Sequence, residues 1–444
     1  MNTSLRALFG ALASPPADVS SLTTRTGAHG EKVGLLGFGA MRYPTTDGSH
    51  ANVHRGGSNA PIDLVRVQRQ IDYCIAHGVN YFDTSPAYCR GESEKVLGDC
   101  LAKHPRDKWF VATKLSNFNA KLHSFEGSKG MYDESFRLLR TDHIDFYLLH
   151  SIGGGGKDAM KLFNARFIDN GMLDFLVKER AAGRIRNLGF SFHGSEEVFR
   201  HALSLHDKVH WDFAQIQLNF VDWRHAKEVN ARNVNAETLY GLLAEKGIPV
   251  VVMEPLLGGR LAKFNDAVQR RLSPLDPAAT PANWSFRFAG SPPGVLTVLS
   301  GMTYIEHIEE NVKTYSPLKP LDEGEKAALE RAARAYLRDD AIPCTACDYC
   351  MPCPYGLDIP GIFSCWNTAL AEDRFPDDPQ DPDYARDRRR FLIDYERAIP
   401  KLRRAERCTG CGRCAPHCPQ SIDIPAMVHK VDAFVEQLRR NGRA

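Results

Sequence analysis

Between Lys32 and about Met302 one unit repeats: a short β-branched or aromatic run, a polar turn, then a stretch with apolar residues at helical spacing. Eight such runs can be marked, at Val33–Ala40, Asn80–Thr84, Trp109–Leu115, Ile144–His150, Ile185–Phe192, Phe213–Leu218, Ile248–Glu254 and Leu296–Ser300. Helices are expected between them, as over Ile62–His77 and Glu92–Lys103. Strands separated by helices pair in parallel, because a parallel connection needs a crossover. Eight units in this span fit a closed (β/α)8 TIM barrel of the α/β class better than an open, doubly wound sheet. The open sheet also lacks its signal: Gly34, Gly37 and Gly39 do not form the G-x-G-x-x-G turn of a dinucleotide-binding sheet.

Composition removes several classes. Lys plus Arg is 56 against 54 Asp plus Glu, a formal balance of +2 that gives no reason to expect a polyanionic partner such as nucleic acid. With 43% hydrophobic and 25% charged residues, no apolar run reaches the roughly 18 residues that span a bilayer, so no membrane partner is expected. The apolar stretch Leu8–Ala13 is too short for a secretory core and reads as part of a tail over residues 1–31. The barrel is placed at 32–317 and a charged helical connector at 318–341. The remainder, 342–444, is rich in cysteine, proline and charge, and reads as a mainly helical two-cluster ferredoxin-like domain. Within it, Arg386–Arg407 carries nine basic residues against four acidic ones and reads as a solvated helical face.

Eight of the twelve cysteines fall into two runs, Cys344-x2-Cys347-x2-Cys350-x2-Cys353-Pro354 and Cys408-x2-Cys411-x2-Cys414-x3-Cys418-Pro419. Three thiolates two residues apart let one loop wrap three corners of a four-iron cube, and a remote fourth closes another. Zinc takes four ligands in two pairs, whereas each run offers three in a row plus a Cys-Pro. Cys353-Pro354-Tyr355-Gly356-Leu357-Asp358-Ile359-Pro360 returns 65 residues later as Cys418-Pro419-Gln420-Ser421-Ile422-Asp423-Ile424-Pro425, an internal duplication. Two 4Fe-4S clusters are therefore expected. Where two clusters share such runs, the last Cys of each ligates the other cluster. This pairs Cys418 with Cys344, Cys347 and Cys350, and Cys353 with Cys408, Cys411 and Cys414. Cysteines kept for ligation fit a reducing cytoplasm, where thiolates stay reduced.

At the ends of successive barrel strands stand Asp83, Lys114 and His150, with Tyr88 five residues beyond Asp83. In a (β/α)8 barrel these ends share one mouth. A phenol, ordinarily near pKa 10, donates a proton at neutral pH when a cation stabilises its phenolate. Lys114 would be that cation, Asp83 would hold it, and His150 would orient a carbonyl.

The stretches Val33-Gly34-Leu35-Leu36-Gly37-Phe38-Gly39-Ala40-Met41-Arg42, Asp83 to Tyr88 with Gly91-Glu92-Ser93-Glu94, Gly183-Arg184-Ile185-Arg186-Asn187-Leu188-Gly189-Phe190-Ser191 and Glu309-Glu310-Asn311 resemble the aldo-keto reductase superfamily. With the cysteine-rich tail, the whole resembles its ferredoxin-fused branch. The resemblance implies hydride transfer between NADPH or NADH and a small-molecule aldehyde or ketone, with Asp83, Tyr88, Lys114 and His150 as the catalytic tetrad and Tyr88 the general acid. It also implies nicotinamide contacts from Ser191 and Gln215, with Met253 where an aromatic ring usually stacks and Phe192 where an Asn usually stands. Glu310 and Asn311 match the adenine end. Gly301, Met302 and His307 occupy the segment that usually offers Lys, Ser and Arg to a 2′-phosphate, which favours NADH because a dianion wants fixed cations. No flavin site is indicated. The implied electron partner is a ferredoxin or a redox subunit. The alternative is a redox sensor or assembly subunit whose barrel binds nicotinamide without turnover.

Overall fold

The computed structural model describes residues 21–52, 56–264, 268–269, 272–337, 341–372, 374–376, 379 and 384–441. Leu8–Ala13 lies outside them. Among the described residues there are ten strands: β1 (Thr24–Thr26), β2 (Lys32–Gly34), β3 (Leu36–Gly39), β4 (Tyr81–Asp83), β5 (Phe110–Leu115), β6 (Ile144–Ile152), β7 (Ile185–Phe192), β8 (Phe213–Gln217), β9 (Val250–Met253) and β10 (Val295–Ser300). The last eight form a closed barrel in the order β10-β3-β4-β5-β6-β7-β8-β9, every neighbour parallel. Its interior is packed with side chains. Phe146 meets Tyr81 at 4.8 Å and Phe213 at 5.2 Å between ring centroids. No helix among the described residues is long and apolar enough to cross a membrane.

The first expected strand, Val33–Ala40, divides. Lys32–Gly34 turns aside to pair antiparallel with Thr24–Thr26, and only Leu36–Gly39 is a stave. Val33 is fully buried in the same cluster as Tyr81, Phe146 and Phe213, so the hairpin closes the barrel's N-terminal end with an apolar plug. Part of the segment expected as a tail through residue 31 is thus a strand, because the open end of the barrel needs covering. Leu64–Ala76 begins where Asp63 accepts a hydrogen bond from the Arg66 amide, a helix N-cap.

Within the expected connector a helix runs over Glu323–Leu337, held to the barrel by Arg287, which donates to both carboxylate oxygens of Glu325 at 2.8 and 2.7 Å. Its Leu329, Ala332 and Ala333 share a cluster with Leu257 and Leu261 of the segment that follows β9 and with Trp284 of the helix Pro281–Gly290. Beyond it, helices Ile359–Ala371, Tyr384–Ala398 and Ile424–Arg440 enclose a separate core that includes Phe363, Trp366, Phe391, Tyr395 and Val431. The duplicated Asp-Ile-Pro has a local reason. Asp358 accepts from the Gly361 amide and Asp423 from the Ala426 amide, and the proline in each first turn gives up no needed donor.

Candidate active site

Asp83 and Lys114 lie in the paired ends of β4 and β5, where Asp83 stands opposite Ala112. The Lys114 Nζ donates to Asp83 Oδ1 at 2.6 Å and to the Thr84 carbonyl at 2.8 Å. Both side chains are almost wholly buried. Burial pushes the Asp83 carboxyl up and the Lys114 ammonium down, and each opposes the other's shift by its charge. Lys114 Nζ lies 4.8 Å from the centroid of the Tyr88 ring, whose edge meets His150 at 6.0 Å. Tyr88 opens a short turn in which Cys89 and Arg90 are left-handed, at φ 50° and 58°.

His150 is not the last residue of its strand. The register slips between Leu149 and Ile152, and Ser151 sits at φ 53°, a conformation that costs a non-glycine residue energy. Such a bulge re-aims the side chain beside it. Arg166 holds it: the guanidinium donates to the His150 carbonyl at 2.7 Å, to the Ser151 carbonyl at 3.3 Å and to Asn117 Oδ1 at 3.1 Å. Burial lowers Arg166 to about 9. The His150 imidazole is bonded through Nδ1 to Ser116 Oγ at 2.5 Å, and burial, then Lys114 and Arg166, hold it well below its usual range. It is neutral at neutral pH, able to make hydrogen bonds without adding charge.

Asp83, Tyr88, Lys114 and His150 share the wall of one cavity of about 690 Å³ with Ser191, Gln215, Met253, Gly301, His307, Glu310 and Asn311. Gln215 fits an amide ligand: it is buried, and its Oε1 has no hydrogen-bond partner. The Ser191 hydroxyl is engaged, accepting from the Ser151 amide at 2.7 Å. Phe192 packs edge-on against Phe199 at 4.8 Å and does not line the cavity. At the far end Asn311 Nδ2 donates to Ser300 Oγ at 3.2 Å, and Thr280 donates to Glu310. A Cβ at Gly301 would lie 3.1 Å from Arg42 Cδ, so the Arg42 stem fills the space beside it. Arg42 and Lys114 are the only Lys or Arg in the wall among the described residues. Sequence reasoning missed Arg42 and Arg166, since nothing in local pattern marks a cation that acts on another loop.

The cysteine-rich unit closes part of the same cavity. Thr345, Cys347, Tyr349, Pro419 and Gln420 line it, and the Tyr349 ring meets Phe118, at 5.6 Å, which in turn meets His150 at 4.9 Å. A small chamber is walled by Cys344, Cys347, Cys350 and Cys418 with Ile359, Phe363, Ile422 and Ile424. The Cys418 thiol is pushed up to about 12, by burial first and then by Cys347 and Cys344. Cys414, lifted by burial to about 11, feels Cys353, Cys408 and Cys411. Thus Cys418 lies with Cys344, Cys347 and Cys350, and Cys353 is a neighbour of Cys414.

The donor sets fit clusters. The Ala346 amide donates to Cys344 Sγ at 3.3 Å and the Ile422 amide to Cys418 Sγ at 3.4 Å, contacts that stabilise thiolates. The wrapping loops share a backbone: Gly410 and Gly412 have φ of 70° and 71°, and the matching Ala346 and Asp348 have φ of 46° and 67° despite their side chains. Among the described residues no three His, Cys, Asp or Glu side chains converge on a single metal ion.

A closed barrel with a buried Lys–Asp pair beneath a tyrosine at its mouth, joined to a cysteine-ligand module, defines a barrel oxidoreductase with an iron–sulfur domain. Residues 35–334 match the Aldo/keto reductase family and residues 343–422 the 4Fe-4S dicluster domain. The chain belongs to the aldo/keto reductase family. It is 27% identical over 315 residues to L-galactose dehydrogenase of Arabidopsis thaliana, covering 66% of this chain and 88% of that one. It is 25% identical over 224 residues to 6-dehydroglucose reductase of Agrobacterium fabrum, covering 47% and 67%. An aldo-keto reductase from Bacillus halodurans in its holo form superposes with a TM-score of 0.53 at 23% identity, over 70% of this chain and 96% of that one. One from Klebsiella pneumoniae in complex with NADPH gives 0.51 at 20% identity, over 70% and 94%.

Proposed function

We propose that the protein is an NAD(P)H-dependent reductase of a small aldehyde or ketone, in which Tyr88 donates the proton to the carbonyl oxygen. The observation that carries this reading is the buried Lys114 ammonium, 2.6 Å from Asp83 Oδ1 and 4.8 Å from the Tyr88 ring, at the wall of the large cavity. As the Tyr88 O–H bond breaks, the ammonium stabilises the oxyanion that forms. Asp83 fixes the ammonium, and the neutral His150, tethered through Nδ1, orients the carbonyl. The nicotinamide coenzyme, when bound, supplies the hydride. Gln215 would hold its carboxamide, with Ser191 beside it, Met253 would cover one face of the ring, and Glu310 and Asn311 would take the adenine end.

NADH is the favoured coenzyme. Gly301 and Met302 carry no charge, His307 is held below its usual range by desolvation, and the Arg42 guanidinium beside them is turned to the Gly258 carbonyl at 3.0 Å, so that segment itself offers no fixed cation to a 2′-phosphate. The relatives named for L-galactose and 6-dehydroglucose support a hydroxylated carbonyl substrate. Cys344, Cys347, Cys350 and Cys418 would hold one 4Fe-4S cluster, and Cys353, Cys408, Cys411 and Cys414 the other. When loaded, the clusters supply one-electron transfer. The chain places Cys347 in the cavity wall and Cys411 at the exposed surface, an arrangement suited to exchange with a ferredoxin or redox subunit in a reducing compartment such as the cytoplasm.

The test is anaerobic oxidation of NADH and NADPH with a panel of aldehydes and ketones, with and without a one-electron acceptor. Turnover that depends on the carbonyl compound supports the reading. Tight nicotinamide binding with no turnover in any combination overturns it in favour of a sensor.

A further inference from the structure

The two halves of the duplicated cysteine module are not used alike. At the position after Cys-Pro, the first copy has Tyr355, an exposed ring, and the second has Gln420, almost completely buried. Gln420 lies in the wall of the barrel cavity and in the wall of the chamber formed by Cys344, Cys347, Cys350 and Cys418. Its Oε1 is buried and has no hydrogen-bond partner. A buried amide oxygen left without a donor is costly, and such groups mark places where a ligand or water completes the site. Neither packing nor the module's own fold explains the polarity, since the equivalent turn at Tyr355 faces solvent.

We propose that Gln420 is a substrate-binding residue of the barrel site, contributed by the iron–sulfur domain, and that its amide accepts a hydrogen bond from a hydroxyl next to the substrate's reacting carbonyl. This rests on the reductase reading above and narrows its substrate to α-hydroxy carbonyl compounds. An alkyl carbonyl would leave Oε1 unpaired and is discriminated against for that reason. Because the same side chain borders the cysteine chamber, an occupied substrate site perturbs the cluster held there.

The experiment uses the full-length, cluster-loaded protein with two probes, hydroxyacetone and acetone. Wild type is expected to have the lower KM for hydroxyacetone, and Gln420→Leu to reduce the ratio of the two KM values about five- to tenfold, the worth of one neutral hydrogen bond. A second readout is the electron paramagnetic resonance spectrum of the dithionite-reduced protein. Hydroxyacetone should shift it in wild type and not in Gln420→Leu. If the leucine variant loses iron, Gln420→Asn, which shortens the reach by one methylene, takes its place. An unchanged KM ratio with clusters intact overturns the proposal, while turnover of both probes by wild type leaves the reductase standing. Should wild type reduce neither probe, the reductase reading is judged separately by the wider panel of aldehydes and ketones. The spectrum then decides: a hydroxyacetone shift lost in the variant supports Gln420 as the contact, and a shift that is absent or unaltered overturns it.

Discussion

Replacing Lys114 by methionine separates the two things that the buried ammonium does. Its Nζ sits 2.6 Å from Asp83 Oδ1, a separation worth about 6 kcal/mol of attraction at an effective dielectric of about 20, much of it offset by the cost of burying both charges. Removing one partner of such a pair typically costs about 3–5 kcal/mol, because the other is left buried and uncompensated. Without its cation the Asp83 carboxyl has a folded-state pKa raised still further. The variant's deficit is therefore small near and below the unfolded carboxyl's pKa and grows as pH rises toward 7. Asp83→Asn added to Lys114→Met removes the stranded charge and should restore most of the stability. Activity behaves differently. Taking the 4.8 Å to the Tyr88 ring as the distance to the developing phenolate, the ammonium contributes about 3.5 kcal/mol at the same dielectric, or about three hundredfold in rate. Urea denaturation at pH 5 and pH 7, with steady-state turnover of an aldehyde on the same preparations, reads both quantities. The reasoning is refuted if the double variant regains turnover along with stability, or if Lys114→Met is as stable and as fast as wild type.

Glu94, buried and hydrogen-bonded by Thr113 at 2.6 Å, has its carboxyl raised by burial to about 7. Its folded pKa lies above the unfolded one, so its stability contribution is whole below pH about 4.5 and is lost as pH rises through 7, a difference of about 3 kcal/mol. Glu94→Gln should abolish that pH dependence in thermal melts, and an unchanged slope would contradict the assignment. Cys353→Ser should lower the iron content from about eight to about four per chain while sparing the cluster on Cys344, Cys347, Cys350 and Cys418. Loss of that inner cluster instead would mean that each run serves its own cluster. NADH should give a higher kcat/KM than NADPH, and His307→Arg should shift the ratio toward NADPH; a wild-type preference for NADPH would refute the reading of that end.

Much of this was legible in the sequence because its signals are local. A strand followed by a helix leaves a periodic trace, and every barrel stave falls within one of the eight marked runs or overlaps it. Asp-Ile-Pro announces a helix start at both 358 and 423 because cap and proline act within one turn. The division of Val33–Ala40 was not legible, since the run is apolar throughout and only the open barrel floor decides that Val33 is a plug. Nor was the bulge at Ser151, which exists because Arg166, fifteen residues on, satisfies its carbonyl. The cysteine-rich domain's place over the barrel cavity was equally hidden. It depends on Tyr349 meeting Phe118, and on Gln420 facing inward where its duplicate faces out, contacts that span hundreds of residues and leave no periodic mark.

As the proposed proton donor in carbonyl reduction, Tyr88 carries the proposed chemistry. Single-turnover reduction of an aldehyde by Tyr88→Phe, with coenzyme binding measured alongside, tests it most directly. The variant is expected to keep its coenzyme affinity and to react more slowly by about 10²–10⁴, the usual contribution of a positioned general acid. A phenylalanine variant that reduces the aldehyde at the wild-type rate would contradict it.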